Sequence, residues 1–282
     1  MILYEGPSRL KPSENIVVIA IISSKNEKTG NMIQTYILLK DRHPVEVVRE
    51  NKDDAICGNC PLRGHDGFHG RVCYVSVEKA PSIVWKNYKK GKYQQTSDFS
   101  SFYGRNLRIG TYGDPCAVPV EIWKNLLTFV KGWTGYTHQW RDERNKEYQN
   151  FLMASVESVF DGYLAELEGW RYFRIVPSTE TNKVVEENDN GFDNWKIQVK
   201  EILCPASEEM GKKTDCKHCN LCSGGQRKKN VVIHEHEKNS RWRWKKLFET
   251  YGKKQFNSFI VSLIERKMEK HKRMIEGRKN VS

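Results

Sequence analysis

Apolar and polar positions divide the chain into short β-rich runs and helical stretches. The run "NIVVIAIISS", the charged turn "KNEKTGN" and the run "MIQTYILLK" read as a hairpin of two strands joined by a Gly/Asn turn. "HPVEVVRE" is expected to add a third strand, and "KAPSIVWKNYKKGKYQQ" reads as helical in part. From Asn106 onward, short apolar runs are separated by segments of helical length. The expected strands are "LRIGTYG", "TGYTHQW", "FLMASVES", "RYFRIV", "EILCPAS" and "VVIHEHE". Between them, "VPVEIWKNLLTFVKGW" puts Val118, Ile122, Leu126 and Phe129 on one helical face, and "SVFDGYLAELEGW" reads as a helix after Ser158.

Strands alternating with helices imply a parallel sheet with helical crossovers. The predicted fold is therefore α/β, a complete or partial (β/α) barrel, with an N-terminal β-hairpin and a basic C-terminal helix. No G-x-G-x-x-G follows any strand, which argues against a dinucleotide-binding sheet. The organisation expected is an N-terminal β-rich segment over 1–50 packed on the barrel, a barrel-like core over 51–237 and a basic helical tail over 238–282. In a barrel, chemistry collects at the C-terminal strand ends. The residues expected there are Thr111, Tyr112, Asp114, His138, Trp140, Ser155, Glu157, Arg174, His234, Glu235 and His236.

With 282 residues, 38% hydrophobic and 11% aromatic, the chain has the material for a substantial core. No apolar run reaches bilayer-spanning length and the N-terminus lacks the long apolar stretch of a secretory signal, so a cytoplasmic protein without membrane partners is expected. Net charge is +12, and residues 238–282 carry fourteen Lys/Arg against four Glu. That tail suits nucleic-acid phosphates, and equally an ordinary solvated helix with Phe256, Ile260, Leu263 and Ile264 packed on the body. Trp242 and Trp244 beside Arg241 and Arg243 suit base stacking or plain packing.

A reducing compartment turns attention to the eight cysteines, because clustered thiols there bind metal more often than they form disulfides. Cys204, Cys216, Cys219 and Cys222 form C-x11-C-x2-C-x2-C. Four thiolates suit either tetrahedral zinc or an iron–sulfur cluster. The C-x2-C-x2-C triplet, with Pro205 after the remote Cys204, favours a 4Fe–4S cluster. Cys57, Cys60 and Cys73 form a three-legged C-x2-C-x12-C group, and the position they leave open is closed by His65 or His69 or taken by substrate. Cys116 reads as a small buried hydrophobe. Asp114, before Pro115, suits a cap or turn as well as catalysis.

The order of motifs is distinctive: a cysteine loop, then "GDP", "GYTHQW", "LMASVES", "GWRYFRIV", the "CPAS" and triplet segment, and "VVIHEH". It resembles the phage and prophage family of gene product 88, from about Cys57 to His236. It departs in having "TYGDP" where that family often has "SGDF", and in its longer basic tail. The resemblance implies a phage-encoded protein in a host cytoplasm with a shared cysteine framework, and carries no reaction with it. More loosely, the two cysteine groups are similar to those of radical S-adenosylmethionine barrel enzymes, although the C-x3-C-x2-C pattern of that superfamily is absent. That similarity implies a catalytic cluster on Cys57, Cys60 and Cys73 with S-adenosylmethionine as cofactor. It also implies an auxiliary cluster on Cys204, Cys216, Cys219 and Cys222, with Asp114, His138, Glu157 and Arg174 facing substrate or cofactor. The rival expectation is a zinc-stabilised nucleic-acid-binding protein. A third is a metal-dependent hydrolase using Asp114, Glu157, His234 and His236.

Overall fold

The structure is a computed structural model and describes residues 1–24, 29–64, 71–95, 98–176, 201–225 and 229–234, with the backbone of 188–189 and 196–197. The basic segment 238–282, together with His65, His69, Glu235 and His236, lies outside the described residues.

In chain order the elements are β1 (Ile2–Pro7), β2 (Asn15–Ile21), β3 (Ile33–Leu39), α1 (Pro44–Arg49), α2 (Asp54–Cys57), α3 (Ala80–Lys89), β4 (Asn106–Tyr112) and α4 (Val120–Leu127). They continue with β5 (Gly132–Thr137), β6 (Met153–Val156), α5 (Val159–Leu167), β7 (Tyr172–Val176), β8 (Asn188–Asp189), β9 (Lys196–Ile197), β10 (Glu201–Leu203), α6 (Cys216–Cys219) and β11 (Asn230–His234). Single 3-10 turns lie at Pro61–Arg63, Ser100–Phe102 and Pro115–Ala117, and a longer one at Glu143–Asn150.

The expected hairpin forms as β2 and β3, antiparallel, with β1 added on the outside of β2. "HPVEVVRE" is not a strand but α1. Pro44 sits in the first turn, where its missing N–H costs nothing, Glu46 and Arg49 lie at the ends that suit their charges, and Pro44, Val47 and Val48 are buried at helical spacing. The helix expected from Val118 to Phe129 is shorter. Pro119 occupies its N-cap, so Val118 precedes α4, Phe129 follows it, and Trp123 and Leu126 fill the buried face.

One nine-stranded sheet runs in the order β1, β2, β3, β4, β5, β6, β7, β11, β10, and every pairing from β3 to β10 is parallel. The N-terminal segment continues the sheet of the core through β3 and β4. The sheet is not closed. The edge that would have to meet β10 is occupied by the hairpin and β1, whose Ile2 bridges Gln95 instead.

Register fixes which side chains share a face, because parallel partners lie side by side and successive residues alternate. Tyr136 and Met153, then Ser155, Phe173 and Val231, and Ile175 with Ile233, point to one side. Ala154 and Tyr172, Val156, Arg174 and Val232 point to the other. The second side packs on α5, through Leu164 and Ala165. The first is covered by both cysteine segments: Cys60, Cys73, Cys204 and Cys222 pack in one apolar cluster with Tyr136, Met153, Phe173, Ile175 and Ile233. No helix among the described residues is long and apolar enough to cross a membrane.

Candidate metal centre

The first cysteine segment is tied down at both ends by charge. Asp53, buried at the start of the segment, accepts from Arg63 Nε at 2.9 Å and from Arg71 Nη1 at 3.1 Å, so one carboxylate holds the two sides of the Cys60–Cys73 loop. The N–H groups of Val72 and Cys73 both donate to Leu62 O, at 3.1 and 3.0 Å, which sets Cys73 beside the turn that begins at Cys60. Gln139 stitches the segment to the end of β5. Its Nε2 donates to Cys57 O at 3.0 Å and its Oε1 accepts from Asn59 N at 3.3 Å, against Gly58, where a Cβ would meet the same amide at 2.4 Å.

Burial pushes the Cys57 and Cys73 thiols up, and the neighbouring thiols add to this while Arg71 opposes it. A buried thiol with no cation therefore stays protonated, and a bound metal would reverse that preference. Arg71 Nη2 and Tyr112 Oη, both buried beside this group, have no hydrogen-bond partner among the described residues.

Three expected site residues arrive from the strand ends. Asp114, after β4, accepts from Cys116 N at 2.9 Å, Thr137 Oγ1 at 2.8 Å and His138 N at 2.9 Å. Burial raises its carboxyl above the usual range and these donors pull it back. His138 follows β5, and its Nε2 meets Glu157 Oε1 at 2.8 Å and Cys60 Sγ at 4.0 Å. Burial alone would depress the imidazole, but its neighbours Cys60 and Glu157 push it well above its ordinary value. Glu157, one residue past β6, is only 4% exposed, and its Oε2 has no partner among the described residues.

In the second segment Cys204 directly follows β10, its N–H donating to Val232 O at 2.8 Å. Cys216 and Cys219 bracket the single turn of α6, whose N-cap Asp215 accepts from His218 N at 2.9 Å and which ends at Asn220 in the left-handed region, φ 49°. Cys222 O accepts from Gly135 N at 3.0 Å, so the triplet is laid across β5. Arg171, just before β7, clamps the far side by donating to the carbonyls of Leu221, Gly224 and Lys229 at 3.0, 3.1 and 3.1 Å. Gly224 lies so close to the Phe151–Leu152 backbone that a Cβ would be 2.4 Å from Leu152 N. Burial, with the charges of Cys204, Cys216 and Cys219, pushes the Cys222 thiol up to about 12, against a hydrogen bond from Tyr136.

None of the eight cysteines is joined in a disulfide. The four thiols of the second group act on one another electrostatically, as do the three of the first. No three His, Cys, Asp or Glu side chains among the described residues are grouped so as to hold a metal ion.

Asp114, His138 and Glu157 are thus brought together beside the first thiol group. Arg174 is not: it lies on the helix-covered face in a paired contact with Glu201, Nε to Oε1 at 2.9 Å and Nη2 to Oε2 at 2.8 Å, and Tyr172 donates to the same carboxylate at 2.8 Å. His234, two residues past Val232, shares that side. Cys116 is fully buried with its Sγ 3.2 Å from Thr137 Oγ1. Sequence reasoning missed Asp53, Arg71 and Gln139. For Asp53 and Arg71 the local signal is polarity near the cysteines, as in "RVC", whereas Gln139, in "GYTHQW", lies far from any cysteine in the sequence.

Comparison with protein-family models, with curated proteins and with solved structures finds no match to this chain.

Proposed function

We propose that this chain is a phage-type metal-binding protein, an iron–sulfur enzyme on a partial (β/α) barrel similar to radical S-adenosylmethionine enzymes. The observation that carries this reading is that both cysteine segments cover one face of the parallel sheet while the crossover helix α5 covers the other. An enzyme that houses clusters inside a sheet needs such a division.

In this reading Cys57, Cys60 and Cys73 hold the reactive centre at the C-terminal strand ends, and Cys204, Cys216, Cys219 and Cys222 hold an auxiliary one. A cluster with a non-cysteine iron would supply electrons and a site for a cofactor such as S-adenosylmethionine. The protein's own residues bind and orient. Asp114 fixes the His138 backbone, His138 and Glu157 form a proton-handling pair beside Cys60, and the apolar strand residues exclude water. Two features support such a group: Cys204 and Cys222 are buried and Cys60 and Cys73 half-buried in one apolar cluster, and three buried polar atoms around the first group, on Arg71, Tyr112 and Glu157, have no partner among the described residues.

A zinc-stabilised nucleic-acid-binding protein is the second reading, favoured by fourteen Lys/Arg against four Glu in 238–282. In it the thiols are staples and affinity falls steeply with salt.

Anaerobic purification with elemental analysis and a visible spectrum separates the two. Iron with acid-labile sulfide and a brown colour is the expected result. A colourless zinc protein supports the second reading, and a protein with neither metal overturns both.

A further inference from the structure

We propose that the exposed stripe of Lys79, Ile83, Lys86 and Lys90 on α3, with Lys92 just beyond it, is a docking surface for the sugar-phosphate backbone of a nucleic-acid duplex, bound without base readout. This goes beyond both readings above, because it needs neither a metal nor the segment 238–282.

α3 has two distinct faces. Pro81, Ser82 and Val84 are buried, Trp85 Nε1 donates to Leu39 O at 3.1 Å and Tyr88 Oη donates to Glu5 Oε1 at 2.5 Å, so this face is locked onto the sheet. Positions 79, 83, 86 and 90 recur at helical spacing on the other face, and all four residues there are exposed. From first to last the stripe is about 16 Å long, and the anchored helix beneath holds it straight. No acidic residue occurs between Lys79 and Lys92.

Stability of the folded chain does not account for these lysines. Lys79 is the N-cap of α3, where a cation opposes the helix dipole, and the first turn holds no acid to offset it. Lys86 and Lys90, four apart, repel one another. Lys79, Lys86, Lys90 and Lys92 have no side-chain partner among the described residues, whereas Lys11, Lys52, Lys124 and Lys212 lie 2.9, 2.6, 3.2 and 3.3 Å from carboxylates. A polyanion relieves that repulsion. Duplex DNA carries one charge per about 1.7 Å of its axis, so each lysine on a straight stripe finds a phosphate. An ammonium is a point charge without the planar fork that reads base edges, which suits backbone contact alone. Trp85 and Tyr88 are engaged inward, so the face offers no stacking platform for a single strand. Of the four stripe positions only Ile83 is apolar, too little for a helix lying in a membrane surface.

The test is fluorescence anisotropy of a short mixed-sequence DNA duplex with the full chain, over a series of salt concentrations. K79Q/K86Q/K90Q/K92Q is expected to reduce the steepness of log K against log salt by about 3 and to weaken binding by roughly tenfold or more, while K79R/K86R/K90R/K92R keeps both near wild type. The control K11Q/K52Q/K124Q/K212Q removes the same charge from paired lysines and is expected to stay within about 1 of the wild-type slope. An unchanged slope in the α3 glutamine variant, or an equal fall in the control, overturns the proposal and leaves the reading through 238–282 standing. Tighter binding to a single strand of the same length, or to phosphatidylglycerol vesicles at the same salt, overturns the duplex as the partner. Wild type that binds none of these overturns the proposal and the second reading together.

Discussion

Asp114 satisfies three donors from within the protein, and this is what gives His138 a fixed position. Asp114→Asn keeps the shape but turns one acceptor into a donor facing donors. The expected cost is about 1–3 kcal/mol, read as a lower urea midpoint with an unchanged slope. Asp161, in the first turn of α5, behaves differently because burial raises its carboxyl, with the Glu157 charge adding and Arg141 at 2.6 Å opposing. A folded-state value above the unfolded one contributes stability that is full below the ordinary carboxylate range and is lost as pH rises through the raised value. The stability of wild type relative to Asp161→Asn is therefore expected to fall as pH rises from about 4 to about 6, near and above the ordinary Asp value. Urea titrations at both pH values check this, and a difference that is flat or rises with pH contradicts it.

Among the elements, the second cysteine segment has almost no regular structure and is held by the sheet beneath it. Its backbone is fixed by Arg171, by Gly135 N–H and by Asn106 Nδ2, which donates to Lys217 O at 3.0 Å. Gly224, at φ +67°, passes close against the Phe151–Leu152 backbone just before β6. Gly224→Ala is both conformationally strained and in collision, so the loop must lift. The expected cost is about 1–3 kcal/mol, a fall in Tm of several degrees, and, on the proposed metal-binding reading, loss of metal from the second cysteine group before the first. Equal loss from both centres in a metal titration would contradict this anchoring. Local sequence served some elements better than others. The hairpin was legible because its alternation and turn are contained in one stretch. α1 was not, because "HPVEVVRE" is too short for periodicity to separate three valines on a strand from three on a helix, and it is burial of Pro44, Val47 and Val48 that decides.

Across the whole molecule, the first-side residues of β5, β6, β7 and β11 lie under both cysteine segments. On the proposed metal-binding reading, metal removal loosens one shared face and leaves the helix-covered one in place. Anaerobic chelation is expected to lower Tm and to speed amide exchange in the 57–73 and 204–222 segments while the hairpin β2–β3 stays protected. Uniform exchange across the chain would contradict it. The sequence by itself determined the thiol groups, the α/β alternation and the polar residues at strand ends, because spacing, turn chemistry and periodicity are local. It could not decide which polar residues meet. Asp114, His138 and Glu157 converge through the register of three parallel strands, while Arg174, in the same kind of position on the page, falls on the opposite face and pairs with Glu201. Only the tertiary structure decided that, because a one-residue change in parity moves a strand residue to the other face, and which face the cysteines cover is set by contacts between distant parts of the chain.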